Sequence, residues 1–203
     1  MGQGQRLAGR VVLATHNAGK LREMQDMLGP HAIEVVSAGA LGLPEPEETG
    51  TMFSENAGIK ARAAAAASGL PAISDDSGLC IDALDGAPGL FTADWAGTPR
   101  DYARAMDRVR HELERRGQAA TGAAAHFTSS IVVAWPDGEE QVFEGRVFGT
   151  LAFPPRGEGG FGYDPCFVPE GEEKTFGEMS LGEKKAHSHR ARAVAALIGA
   201  LIA

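Results

Sequence analysis

The sequence predicts an α/β fold, a mixed and twisted β-sheet with flanking helices. Three observations carry this. Early in the chain, apolar runs suited to buried strands alternate with helical periodicity, as in βαβ units. In the second half, two β runs flank Pro136-Asp137-Gly138, whose turn chemistry implies a hairpin and argues against an all-parallel sheet. The chain closes on a helical stripe of Ala191, Val194, Ala195, Ile198, Leu201 and Ile202.

The elements follow in order. Residues 10–15, RVVLAT, read as a buried strand. They run into His16-Asn17-Ala18-Gly19-Lys20 and a helix with Leu21, Met24, Met27 and Leu28 on one face. A second strand is expected at 33–37, then a Pro- and Glu-rich loop at 43–50, then an Ala-rich helix over 51–68. Residues 71–75 read as a short strand ending in Asp75-Asp76-Ser77-Gly78, with another strand at 79–84. Residues 86–99 look irregular, and 100–116 form a charged, solvent-facing helix. The hairpin strands cover 126–135 and 140–153, and a glycine-rich loop follows at 156–165. Ser180 and Glu183 have capping-box spacing.

Composition bounds the function. With 203 residues, 43% hydrophobic and 23% charged, the chain can bury a sizeable core. No apolar run is long enough to span a membrane, and the N-terminus lacks the apolar core of an export signal, so a cytoplasmic protein is expected. The net charge of −8, from 19 basic and 27 acidic residues, argues against nucleic acid as a partner. Cys80 and Cys166 lack metal-ligand spacing and read as reduced core thiols.

Several segments could carry chemistry. Thr15 to Lys20 lie where a strand gives way to a helix, where unsatisfied N–H groups favour an anion. The same segment also reads as an ordinary turn capped by Asn17. Glu47 and Glu48 are either solvated or oxygen ligands for Mg²⁺. Asn56 and Lys60 share a helix face. Adjacent Asp75 and Asp76 at a strand end are hard to explain as packing; one acid could hold Mg²⁺ while the other activates water. The loop containing Phe161, Gly162, Tyr163 and Asp164 could lay a ring over a purine, or tuck its aromatics into the core. Lys184 to Arg190 crowd basic and polar groups at a helix start, which suggests an anionic or polar ligand.

Together these segments resemble the inosine/xanthosine triphosphate pyrophosphatase family, the house-cleaning purine NTP pyrophosphatases. The resemblance rests on ATHNAGKLREM, EETGTMFSENAGIKARAAA, LPAISDDSGLCIDALDGAPGLFTADWAG, HFTSSIVVAW, GGFGYDPCFVP and EMSLGEKKAHSHRARA, from about residue 10 to 200. It implies one domain over 10–203, elongated, with two lobes around a central nucleotide cleft. Residues 1–9 are then an overhang expected to be disordered. It implies Mg²⁺ dependence, a homodimer, and hydrolysis of ITP, dITP and XTP to the monophosphate and pyrophosphate. By position, Thr15, His16, Asn17, Ala18, Gly19 and Lys20 resemble the phosphate turn. Glu48 and Asp76 resemble the metal carboxylates, with Asp76 also the base, Asp75 beside it and Lys60 on the triphosphate. Ser77 resembles a site-lining residue and Phe161 to Asp164 the base platform. Lys184, His189 and Arg190 resemble nucleotide contacts. Asp94 departs from the pattern, since many relatives carry Arg there. The rivals are a pyrophosphatase for other modified nucleotides and a non-catalytic nucleotide-binding module.

Overall fold

The computed structural model describes residues 5–202. In chain order the elements are β1 (Gly9–Leu13), α1 (Ala18–Leu28), β2 (Ile33–Ser37), α2 (Phe53–Ser68), β3 (Ala72–Ile81), α3 (Tyr102–Arg115), β4 (Ala124–Ala134), β5 (Glu140–Leu151), β6 (Phe167–Pro169), α4 (Leu181–His187) and α5 (His189–Leu201). The strands form one sheet in the order β2-β1-β3-β4-β5-β6. β1 pairs in parallel with β2 and β3, whereas β5 and β6 are antiparallel, so the sheet is mixed as expected.

The chain divides into two compact units. Unit 1 holds residues 1–76, 129–145 and 190–203, and unit 2 holds 77–128 and 146–189. The sheet in unit 1 is covered on both faces, and the strand period of two sorts the residues. Val11, Leu13, Ile73, Ile131 and Val133 join Met24, Leu28, Val194 and Leu197 in one cluster. Val12, Ala14, Ala72, Val132 and Ala134 join Ala57, Ala61, Ala64 and Ala65 in another. The small side chains of α2 therefore belong to one face of the sheet, and the larger side chains of α1 and α5 to the other. Leu7 is buried in the first cluster, and its N–H donates to the Leu201 carbonyl at 3.0 Å. Of the N-terminal overhang, residues 1–4 lie outside the described residues.

In unit 2, α3 buries Ala105, Met106, Val109 and Leu113 against Leu79, Ile81, Phe127, Phe167 and Phe176. The helix expected to face solvent is thus amphipathic: its charges lie outside, while each buried Val or Leu contributes about 1.5–3 kcal/mol. Asp101 caps it by accepting from Arg104 N–H.

Two further expectations are corrected. The expected strands at 71–75 and 79–84 are one strand, β3, followed by a 3-10 turn at Asp82–Leu84. Asp75 and Asp76 therefore sit inside a strand and not at its end. The acidic pair imitates a break, but tertiary partners satisfy both carboxylates and the backbone stays extended. The short strand β6 has no counterpart among the expected elements, because three residues carry no periodicity. The turn at Asn17, the hairpin turn after Trp135 and the Ser180/Glu183 capping box form as the sequence indicates. Cys80 and Cys166 are buried free thiols.

Candidate active site

Unit 1 gathers Glu48, Asp75 and Asp76 together with Lys20, Lys60 and Arg190. At the β1–α1 turn, Thr15 Oγ1 accepts from Asn17 N–H at 3.1 Å. Asn17 Oδ1 accepts from Gly19 N–H at 2.8 Å and Lys20 N–H at 3.2 Å. The capped turn fixes the start of α1 and aims Lys20 inward. Lys20 Nζ lies 2.8 Å from the Asp75 carbonyl and 3.0 Å from its Oδ2. His16 and Ala18 are exposed at the same turn.

The pleat of β3 sends Asp75 and Asp76 to opposite faces. Asp75 lies with α1 and α5, where Arg190 places Nε 3.1 Å and Nη2 2.8 Å from Oδ2. Ser129 donates its hydroxyl to Oδ1. Arg190 Nη1 is also paired with Glu23. Burial alone would raise the Asp75 pKa, but Arg190 and Lys20 outweigh it and hold the carboxyl far below the usual carboxylate range. At Lys20 burial wins over Asp75, and the ammonium pKa is lowered.

Asp76 lies with α2, where its Oδ1 is 3.1 Å from Lys60 Nζ. Glu48 Oε1 takes the same ammonium at 2.8 Å. Burial raises the Asp76 pKa despite Lys60, because a single direct cation offsets less than the three donors at Asp75. For Lys60, burial is outweighed by Asp76 and Glu48, so its pKa is raised. The loop bearing Glu48 is tied to α2 where Asn56 Oδ1 accepts from Gly50 N–H at 2.7 Å. Glu47 is exposed.

Unit 2 holds the aromatic loop. Asp164 is buried, and its Oδ2 accepts from Phe161 N–H and from Lys184 Nζ, each at 2.7 Å. Lys184 Nζ also lies 4.7 Å from the centre of the Phe161 ring. Gly160 has φ +70°, and a Cβ there would fall 2.0 Å from Asp164 Oδ2, so the loop closes only with glycine. The two aromatics differ. Phe161 is half-buried, whereas Tyr163 is 1% exposed and donates its hydroxyl to the Thr92 carbonyl at 3.1 Å. His189 is buried and stacks on Phe127 with centroids 4.9 Å apart. Ser77 is half-buried in β3.

The structure thus joins Lys20, Asp75 and Arg190 in one network and Glu48, Lys60 and Asp76 in another. Phe161, Asp164 and Lys184 form a third. Glu23 and Ser129 belong to the first network and sequence reading passed over them. Glu23 sits three residues after Lys20 on α1, a spacing that shares a helix face. Ser129 is a hydroxyl in an otherwise apolar strand, and either signal could have flagged them.

As a cation site, Glu48 and Asp76 offer hard carboxylate oxygen. Among the described residues no group of three or more acids, His or Cys could hold a metal alone. That donor set fits Mg²⁺, which keeps several waters and takes substrate phosphate oxygens. Among the described residues no helix is long and apolar enough to cross a membrane.

Comparison with known proteins narrows the reading. A family model described as the Ham1 family matches residues 11–200. A "dITP/XTP pyrophosphatase" of Rhodopseudomonas palustris is 54% identical, with 93% of this chain and 94% of that protein covered. A protein of the same name from Mesorhizobium japonicum is 57% identical over 91% of this chain and 89% of its own length. A solved HAM1 protein from Coxiella burnetii superposes with a TM-score of 0.84 at 39% identity, covering 93% of this chain and 96% of its own.

Proposed function

The chain belongs to the Ham1 family, and from that premise we propose that it hydrolyses deaminated purine nucleoside triphosphates, dITP, XTP and ITP, to the monophosphate and pyrophosphate. The names of its relatives support the substrate class. The observation that carries the chemistry is the Glu48–Lys60–Asp76 cluster, in which two carboxylates share one largely buried ammonium. A module that only bound nucleotides would need no base, whereas Asp76 offers a carboxylate that can take a proton from water.

Water attacks the α-phosphorus and gives its proton to Asp76, while the α–β bridging oxygen leaves with pyrophosphate. Glu48 and Asp76 would hold Mg²⁺, which when bound neutralises phosphate charge and acidifies water. Lys60 and Lys20 offset the charge that gathers on the departing pyrophosphate. Asp75 acts by position, since its oxygens already accept from Arg190, Lys20 and Ser129. The turn from Thr15 to Lys20, including His16, Asn17, Ala18 and Gly19, borders the phosphates, and Ser77 lines the site.

In unit 2, Phe161 supplies the stacking face for the purine, with Gly162 and the Asp164–Lys184 pair shaping the loop. Tyr163 anchors that loop from the core. His189 is assigned to the 6-oxo edge, which accepts a hydrogen bond where the amino group of ATP donates one. In unit 1 the nucleotide contact expected of Arg190 is proposed to act through Asp75, since its guanidinium is buried and bonded to Asp75 and Glu23. The enzyme is proposed to act as a homodimer in the cytoplasm.

Phosphorus NMR of the early reaction with ITP tests the reading. IMP and pyrophosphate are expected as first products, and IDP with orthophosphate would sink attack at the α-phosphorus.

A further inference from the structure

We propose that Thr175 is a positioning residue that holds the base-binding loop 156–165 in place, acting with Glu178; this rests on the reading of that loop as the purine platform. Four of the ten residues of the loop are glycines, so much of its backbone has no side chain of its own with which to fix its shape. Its ends close on each other through Arg156 N–H, which donates to the Pro165 carbonyl at 2.7 Å. What stands behind it is the turn at 173–178. Thr175 is fully buried, and its hydroxyl donates to the Arg156 carbonyl at 2.7 Å.

The same hydroxyl accepts from Glu178 N–H at 3.2 Å, while Glu178 Oε2 accepts from Thr175 N–H at 2.8 Å. This reciprocal pair has the logic of a capping box, here locking a turn and not a helix start. The locked turn presents Gly177 to the loop. Gly159 N–H donates to the Gly177 carbonyl at 2.8 Å, and Gly177 N–H donates to the Asp164 carbonyl at 3.0 Å. Gly157, at φ +84°, passes so close that a Cβ on it would meet the Gly177 carbonyl carbon at 2.2 Å. Asp164 is the residue that fixes Phe161 and Lys184. A chain of contacts therefore runs from the Thr175 hydroxyl to the stacking face, and its links all lie in unit 2.

The test measures binding of IMP and pyrophosphate to the full chain by calorimetry with Mg²⁺ present. Thr175→Val keeps the shape and removes the hydroxyl. It is expected to weaken IMP about tenfold, the loss of about one hydrogen bond, and to leave pyrophosphate within about twofold. Thr175→Ser restores the hydroxyl and is expected to bind IMP within about threefold of wild type. Unchanged IMP binding by Thr175→Val overturns the proposal, as does a parallel loss on IMP and pyrophosphate, or a Thr175→Ser variant as weak as Thr175→Val. If Thr175→Val does not fold, Glu178→Ala reaches the lock from its exposed end. An IMP loss of about threefold then supports the proposal, and no loss overturns it. The platform reading is judged apart from Thr175, on Phe161→Ala: unchanged IMP binding by that variant removes it, and the positioning role falls with it.

Discussion

Around Asp75 in unit 1, two cations and a hydroxyl converge on one buried carboxylate. In unit 2 the loop 156–165 is held mainly by backbone N–H and carbonyl groups, with Asp164–Lys184 as its buried ion pair. The first arrangement is electrostatic: its cohesion comes from opposite charges out of water, and loss of one member leaves the others uncompensated. The second is geometric: glycines let backbones approach, and the charges only pin the result. Substitutions in unit 1 should therefore act on chemistry and stability. Those in unit 2 should act on which nucleotide is held.

The sharpest way to break this comparison is Asp76→Asn. The amide takes no proton and ligates metal poorly, so kcat should fall by roughly 10²–10⁴-fold with the fold intact. A purified variant within about threefold of wild type at saturating Mg²⁺ would remove Asp76 from the chemistry.

Asp75→Asn should instead act on stability, since Arg190 and Lys20 would lose their shared carboxylate. Breaking a buried pair costs about 3–5 kcal/mol, readable by urea unfolding. The pH dependence has a fixed sign. The folded-state pKa is depressed, so the contribution is complete above the unfolded value, about 3.9, and is lost as pH falls below it. The gap between wild type and variant should narrow in that acid range. A stability difference under about 1 kcal/mol at neutral pH would show that the network is not what holds this part of unit 1.

Lys184→Met tests the geometric side. It leaves Asp164 buried with Phe161 N–H but without its cation. IMP binding should weaken by about 10- to 100-fold, matching an uncompensated buried group, with pyrophosphate binding nearly unchanged. Equal losses on both ligands would place Lys184 on the phosphates.

The smallest effect is expected from Asn17→Ala. Its side chain caps two N–H groups at the start of α1, and losing such a cap costs about 1 kcal/mol in urea unfolding. A neutral result would mean that solvent satisfies those N–H groups equally well.

Much of this was legible in the chain because local physics dictates it. Val11, Val12 and Leu13 form a run without alternation, and parallel strands covered on both faces require that. Asn17 and Ser180 mark helix starts with hydroxyl or amide groups that only N–H donors of a first turn can use fully. The candidate residues Glu48, Lys60, Asp76, Phe161, Asp164 and Lys184 were all visible as chemistry-bearing types in unusual company.

What the sequence could not determine is which of these groups face each other. Asp75 and Asp76 are identical and adjacent, and along the chain they read as a pair. The pleat separates them: Asp75 meets Arg190, more than a hundred residues away, and Asp76 meets Lys60 on α2. Glu23 and Ser129 acquire meaning only because α1 and β4 bring them to Arg190 and Asp75. Thr175 and Glu178 look like an ordinary polar pair until the turn they lock is found against the glycine loop. Hydrophobic periodicity and capping are short-range and are written in neighbouring residues. Charge pairing and backbone approach depend on distances that only the packed chain sets, and there the tertiary structure assigned each acid its partner.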